Sequence, residues 1–305
     1  MHEHQKHLVQ RILADIRSPR KKKVIVDTDA YNEMDDQFSI LYALCSRSMN
    51  VIALNAAPFA NDRADGFEDG MVKSYEELMR LTALLPDGDS IPVFHGSRKS
   101  IEQTGHPAPS PAAENIISEA LASEETIYIL TLGAATNVAS ALLMDPRITE
   151  KICVIWLGGT SLDKPDVREF NLIGDYAAGQ VLLNSGCPVL LCPAFDVTCV
   201  LEADLAELTS LDGIHAHGTY LAELTREFYE QAGSPAGWKR VIWDIAAPAI
   251  LADPDCAEME IVTAPVFTDS FTYAFDKTRH SMILLKKLDR DAVFRGCFDT
   301  LRKGR

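Results

Sequence analysis

The chain has 305 residues, a net charge of −15, 47% hydrophobic residues and 24% charged residues. That is globular usage, with length for one large α/β domain or two smaller ones. The acidity weighs against a nucleic-acid binder that tracks phosphates on a basic face, and no apolar run approaches the ~20 residues needed to cross a bilayer.

From the N-terminus, residues 1–22 carry no apolar secretory core or cleavage site. Leu8, Ile12 and Ile16 have the spacing of a short amphipathic helix, and the basic run Arg20 to Lys23 reads as a solvated lead-in to the first strand. Residues 1–22 are therefore expected to be an N-terminal helical extension, and 23–305 a single domain. Apolar runs at Lys23–Thr28, Val51–Ala56, Ile91–His95, Thr126–Leu132, Ile152–Leu157 and Pro188–Pro193 predict strands. Consecutive apolar positions mark strands buried on both faces, as in a parallel sheet. Between them, helices are predicted at Asp36–Arg47, Gly70–Leu84, Ala112–Ala122, Asn137–Met144 and Tyr176–Asn184. This alternation predicts an open, mostly parallel α/β sheet flanked by helices, Rossmann-like in build. Beyond residue 200, helices are predicted at Leu201–Leu208, Gly218–Gln231, Asp244–Leu251 and Arg290–Arg302, with antiparallel strands over Ala257–Lys286. These form a helical and hairpin cap at the C-terminal end. The seven cysteines contain no C-x-x-C pair, and Cys45, Cys153, Cys187 and Cys192 lie among apolar residues. They read as reduced, buried thiols of a cytoplasmic protein.

Open α/β sheets bind ligands beyond the carboxyl ends of their strands. The first such end reads Asp27-Thr28-Asp29-Ala30-Tyr31-Asn32-Glu33-Met34-Asp35-Asp36, four aspartates within ten residues. Carboxylates this dense raise each other's pKa unless a cation compensates, and all-oxygen donors suit a hard ion such as Ca²⁺ or Mg²⁺. Strand alternation puts Asp27 and Asp29 on one side. The simpler reading is an acidic helix cap at Asp35 with Asp27 paired to a lysine. Four acids in this context favour a metal or sugar site. Two later ends carry Leu132-Gly133-Ala-Ala-Thr136-Asn137 and Leu157-Gly158-Gly159, the latter followed by Glu169-Phe170-Asn171. Each alone is explained by a strand-to-helix turn with a Thr or Asn cap.

Taken together and in order, these motifs resemble the nucleoside hydrolase family of the inosine–uridine preferring type, over nearly everything from Lys23 to Leu301. Its markers are D-T-D…D-D, L-G-x-x-T-N, L-G-G followed by E-F-N, and W-D-I-A-A at Trp243–Ala247. The resemblance implies a calcium-dependent N-ribosyl hydrolase that cleaves purine or pyrimidine nucleosides, or another riboside, and assembles as a homodimer or homotetramer. By the same resemblance Asp29, Asp36, Asp244 and the carbonyl of Leu132 hold Ca²⁺. Asp29 is then the general base toward a metal-bound water, and Asp35, Glu169, Asn171 and Asp244 hold the ribose. Asp27 supports them from behind. An N-glycosidic bond breaks through an oxocarbenium-like sugar, which nearby carboxylates favour.

The chain departs from the family pattern at three places. Five residues, not three, separate Asp29 from Asp35, so Asn32 or Glu33 can add a sugar contact. Pro58 stands where an asparagine is common, with Asn61 close by. Trp243 replaces the histidine that often protonates the departing base; it can stack on a base but cannot act as an acid. His215 and His217 are loop candidates for that acid, although exposed polar loop residues are the simpler reading. Tyr229 and Trp238 are candidates for the base pocket or the core. Two other functions compete. One is a non-catalytic or regulatory ribose-binding relative. The other is a Mg²⁺ phosphatase of the haloacid-dehalogenase type with Asp27 as nucleophile, ranked low because Tyr31 breaks that motif.

Overall fold

The computed structural model describes residues 2–305. Its strands in chain order are β1 Lys22–Thr28, β2 Met49–Ala56, β3 Val93–Phe94, β4 Ile127–Thr131, β5 Ile152–Leu157, β6 Val189–Cys192, β7 Glu202–Asp204, β8 Lys239–Val241, β9 Ala257–Thr263, β10 Val266–Phe267, β11 Tyr273–Ala274 and β12 Ser281–Leu288. Eight of them form one sheet in the order β3-β2-β1-β4-β5-β6-β12-β9. The sheet is parallel from β3 through β12, and β9 closes the edge antiparallel to β12. Every residue of β4 and β5 is buried, as their unbroken apolar runs require. The pleat divides β1 between two cores: Val24 and Val26 face one, Ile25 the other. Helix Asp35–Cys45, buried along its whole length, fills the first core with Ala246–Ala252 and Arg290–Lys303. Helices Pro111–Ala122, Thr136–Met144 and Tyr176–Asn184 cover the other face.

The chain runs outward from β1 through β2 to β3, then returns to β4 on the other side of β1. This reversal opens a crevice above the carboxyl ends of β1 and β4, where open sheets of this kind take ligands.

The predicted α/β architecture is present, with local differences. Helix His2–Ile16 exists, and Leu8, Val9, Ile12 and Ile16 are buried in the same core as the sheet. Gln5 ties it to β12, accepting from Ser281 N at 2.9 Å and donating to Ser281 O at 3.0 Å. The lead-in is not solvated throughout. Lys22 is 0% exposed, with its Nζ donating to Ser18 O, Ser18 Oγ and Arg20 O at 2.7–2.9 Å. The turn folds back on the amine and replaces its water, which periodicity cannot foresee. Leu201–Leu208 is only half helical, because β7 pairs with β8 before a single turn, Leu205–Leu208. The C-terminal antiparallel pair forms as β9 and β12 and widens the main sheet, since β12 also lies parallel to β6. Cys45, Cys153, Cys187 and Cys192 are free and buried.

Candidate active site

Five chain segments meet over the crevice. β1 ends in Asp27 and Asp29, and the next helix begins with Asp35 and Asp36. β4 delivers Leu132, and β5 leads through a loop to the short helix Phe170–Gly174, which Glu169 caps and which carries Asn171. The fifth is the single 3₁₀ turn Trp243–Ile245, which brings Asp244 from the far end of the chain. Ser39 Oγ donates to the Asp244 carbonyl at 3.0 Å and ties that turn to the helix of Asp35 and Asp36.

Carboxylate oxygens of Asp35, Asp36 and Asp244 lie within 4.8 Å of one another, all buried. Asp29 stands beside this trio rather than inside it, near enough for Asp36 and Asp35 to raise its pKa. Gly133 lets Asp29 sit against β4: a Cβ there would lie 2.8 Å from Asp29 Cγ and Oδ1. The longer loop folds as a turn, with Asn32 N donating to Asp29 O at 2.7 Å.

The simpler readings of these acids fail. The helix cap is Met34, not Asp35, and makes no side-chain cap. Asp27 pairs with no lysine; its Oδ1 accepts from Asn137 Nδ2 at 2.8 Å. Likewise Thr136 and Asn137 do not cap their own helix, whose cap is Ala135. Thr136 Oγ1 instead donates to Asp175 at 2.8 Å, while Asn137 braces Asp27 and accepts from Ser97 N at 2.8 Å.

Burial drives the acids up, and repulsion from neighbouring site carboxylates adds to it at Asp29, Asp35 and Asp244. Asp35 is pushed to about 8 and Asp36 to about 6, while Asp29 and Asp244 rise well above the usual carboxylate range. Burial pushes Asp27 and Glu169 up to about 7. Thr28 donates to Asp36, a bond that opposes the rise. Asp29 Oδ2 and Asp244 Oδ1 are buried without a hydrogen-bond partner. Orphaned carboxylate oxygens are costly, and a hard cation with oxygen ligands fits both the donor set and the vacancies in bonding.

Above the acids lies a cavity of about 510 Å³, enough for a sugar with an attached ring. Asp29, Asn32, Asp35, Asp36, Leu132, Glu169, Asn171, Trp243 and Asp244 all line it; Asp27 lies beneath. Glu169 is partly committed: it accepts from Gly159 N, Asn171 N and Leu172 N at 2.9–3.1 Å. Asn171 Nδ2 donates to the carbonyls of Leu132 and Leu157 at 2.7 and 3.0 Å. Asn61 does reach the pocket and donates to Asn32 Oδ1 at 2.7 Å.

Other expectations fall away. His215 and His217 are not loop residues; they open helix His215–Gln231, away from the cavity. His217 is buried, with its Nε2 2.9 Å from Leu301 O. Tyr229 and Trp238 pack on each other at 5.7 Å and do not line the pocket. The aromatic lining is Phe170, Phe195 and Phe228 beside Trp243, with Arg63 and Arg240 among them. Phe170 sits inside the E-F-N motif but was given no role; Phe195, Phe228, Arg63 and Arg240 were missed because they come from separate segments with no shared motif.

Comparisons with known proteins agree with this fold. A profile of the family described as "Inosine-uridine preferring nucleoside hydrolase" matches residues 24–295. The "Probable uridine nucleosidase 1" of Oryza sativa subsp. japonica is 27% identical over 218 residues, spanning 64% of this chain and 66% of that one. The "Pyrimidine-specific ribonucleoside hydrolase RihA" of Enterobacter sp. (strain 638) is 26% identical over 68% of this chain and 71% of its own length. The fold of the "Purine-Preferring Ribonucleoside Hydrolase from Gardnerella vaginalis" superimposes with a TM-score of 0.70 at 19% identity, covering 93% of this chain and 100% of that one. The chain belongs to the inosine-uridine preferring nucleoside hydrolase family, a family of N-ribosyl hydrolases.

Proposed function

We propose that the protein hydrolyses the N-glycosidic bond of ribonucleosides with the help of calcium. The observation that carries this reading is the floor of buried acids, two of them with orphaned oxygens, beneath a pocket with an aromatic mouth. Asp29, Asp36, Asp244 and the Leu132 carbonyl are the residues that would hold the ion. Bound calcium would supply positive charge that offsets these acids and helps orient the sugar hydroxyls.

The chain's own groups do the rest. Asp29 takes the proton of the attacking water, a role suited to a carboxylate that lines the pocket floor beside the ion. Asp35 accepts hydrogen bonds from a ribose hydroxyl. Asn171 and Glu169 fix the sugar from the β5 side, and Asn32 with Asn61 closes over it from the long loop. The acids around the ring favour the positive charge it develops as the bond breaks. Trp243, edge-on to Phe195 at 6.0 Å, offers the base an aromatic wall.

Trp243 also favours a second reading, a riboside-binding relative without turnover, because it removes a proton donor. One assay separates the two. Protein in millimolar calcium is incubated with purine and pyrimidine ribonucleosides and with 4-nitrophenyl riboside, and reducing sugar is measured. Equal amounts of ribose and aglycone are expected. Thermal stabilisation by these compounds with no ribose released from any of them contradicts hydrolysis and leaves the binding relative.

A further inference from the structure

The hydrolase reading leaves the leaving group without a proton donor. Among the described residues, no His, Cys, Lys or Tyr lines the cavity. Its carboxyl groups are the buried acids of the floor, Glu33, which is ion-paired with Arg240, and the exposed Asp62. Two guanidinium groups remain. Arg63 is committed: its Nε donates to Tyr31 O at 3.0 Å, and it is stacked 4.6 Å from the Tyr31 ring centroid and 4.9 Å from that of Phe228. Arg240 is not. It lies on β8, three residues before Trp243, with its guanidinium 5.9 Å from the Phe228 centroid. Its Nε is buried with no hydrogen-bond partner.

Resting on the hydrolase reading, we propose that Arg240 is a catalytic residue that takes up the negative charge of the departing aglycone, in place of a general acid. The bond from C1′ to the aglycone nitrogen breaks with its electron pair passing to that nitrogen. Water oxygen bonds to C1′ and gives its proton to Asp29. The aglycone leaves as an anion against the guanidinium and takes a proton from solvent after release. Arginine suits this because it stays charged and presents a fork of donors, yet does not give up a proton. Such charge-assisted bonds are short and strong where water is excluded. Glu33 and Phe228 hold the guanidinium at the mouth, so little reorganisation accompanies bond breaking.

The role predicts a dependence on the leaving group that a merely structural arginine would lack. A nucleobase anion needs help to leave; 4-nitrophenolate needs little. Arg240→Gln should lower kcat/KM for ribonucleosides by roughly 100-fold, the usual scale for one donor to a developing anion. The ratio of kcat/KM for 4-nitrophenyl riboside to that for a ribonucleoside should rise at least tenfold. Arg240→Lys, which keeps the charge but not the fork, should fall between the two. Ribose affinity, measured by titration calorimetry, reports that the variants are folded. Equal losses on both substrates overturn the role, and so does no loss on either. Wild-type protein that cleaves 4-nitrophenyl riboside but gains nothing from Arg240 sinks this inference alone. Wild-type protein that cleaves neither compound sinks the hydrolase reading and this inference with it.

Discussion

Asp29→Asn is expected to slow ribose release from ribonucleosides by about 10³-fold, within the range for removal of a general base. Asparagine has nearly the same shape, so it fits against Gly133, where a Cβ would already be within 2.8 Å of the Asp29 carboxyl carbon. It cannot accept the proton of the attacking water. Asparagine keeps one side-chain oxygen, and Asp36, Asp244 and the Leu132 carbonyl are unchanged, so the variant should still bind calcium, though more weakly. The check is steady-state kinetics beside calcium-dependent melting of the same sample. Activity within tenfold of wild type means that another group takes the proton. Loss of activity together with loss of calcium binding means that Asp29 acts chiefly by holding the ion, and leaves its role as base without support.

The second large effect changes sign with the metal. In calcium-free protein, the oxygens of Asp35, Asp36 and Asp244 crowd within 4.8 Å with no countercharge among them. Their folded pKa values lie above those of an unfolded chain, near 6 for Asp36 and 8 for Asp35. The folded state therefore binds more protons than the unfolded state between about pH 4 and 8, and its stability falls as pH rises through that window. Calcium removes this loss by taking the place of the protons. At a hundredfold excess over its dissociation constant it adds ~2.7 kcal/mol, roughly 4 °C in Tm for a chain of this size. Asp36→Asn relieves repulsion but removes a ligand. In chelator at pH 8 it should melt at or above wild type; in calcium it should melt below. Differential scanning calorimetry under the two conditions decides. A variant that melts below wild type by the same margin in both has lost only a structural contact, such as the hydrogen bond from Thr28.

Much of this was legible in the sequence because the chemistry is dense and local. The double-faced apolar runs reported the parallel sheet, and the crowded acids after β1 reported a buried carboxylate cluster at its carboxyl end that could hold a cation. Asp244 lies more than two hundred residues away and could be tied to Asp29 only through resemblance of W-D-I-A-A to the family pattern. The structure adds why it arrives: Ser39 binds the Asp244 carbonyl, and a single 3₁₀ turn aims the side chain. The base end was not legible. Phe195, Phe228 and Arg240 come from three segments with no common period, and only tertiary folding lines them up beside Phe170 of the E-F-N motif. Lys22 was misread for a related reason: its partners Ser18 and Arg20 are backbone and hydroxyl acceptors in a turn, which leave no trace in charge pattern.

Titration calorimetry of calcium into chelator-stripped protein, repeated with saturating ribose, tests the grip of these acids most directly. The account predicts one saturable calcium per chain, bound more tightly when ribose is present, and ribose bound more tightly by the same factor when calcium is present. No saturable binding at millimolar calcium, or ribose affinity that is the same in calcium and in chelator, contradicts it.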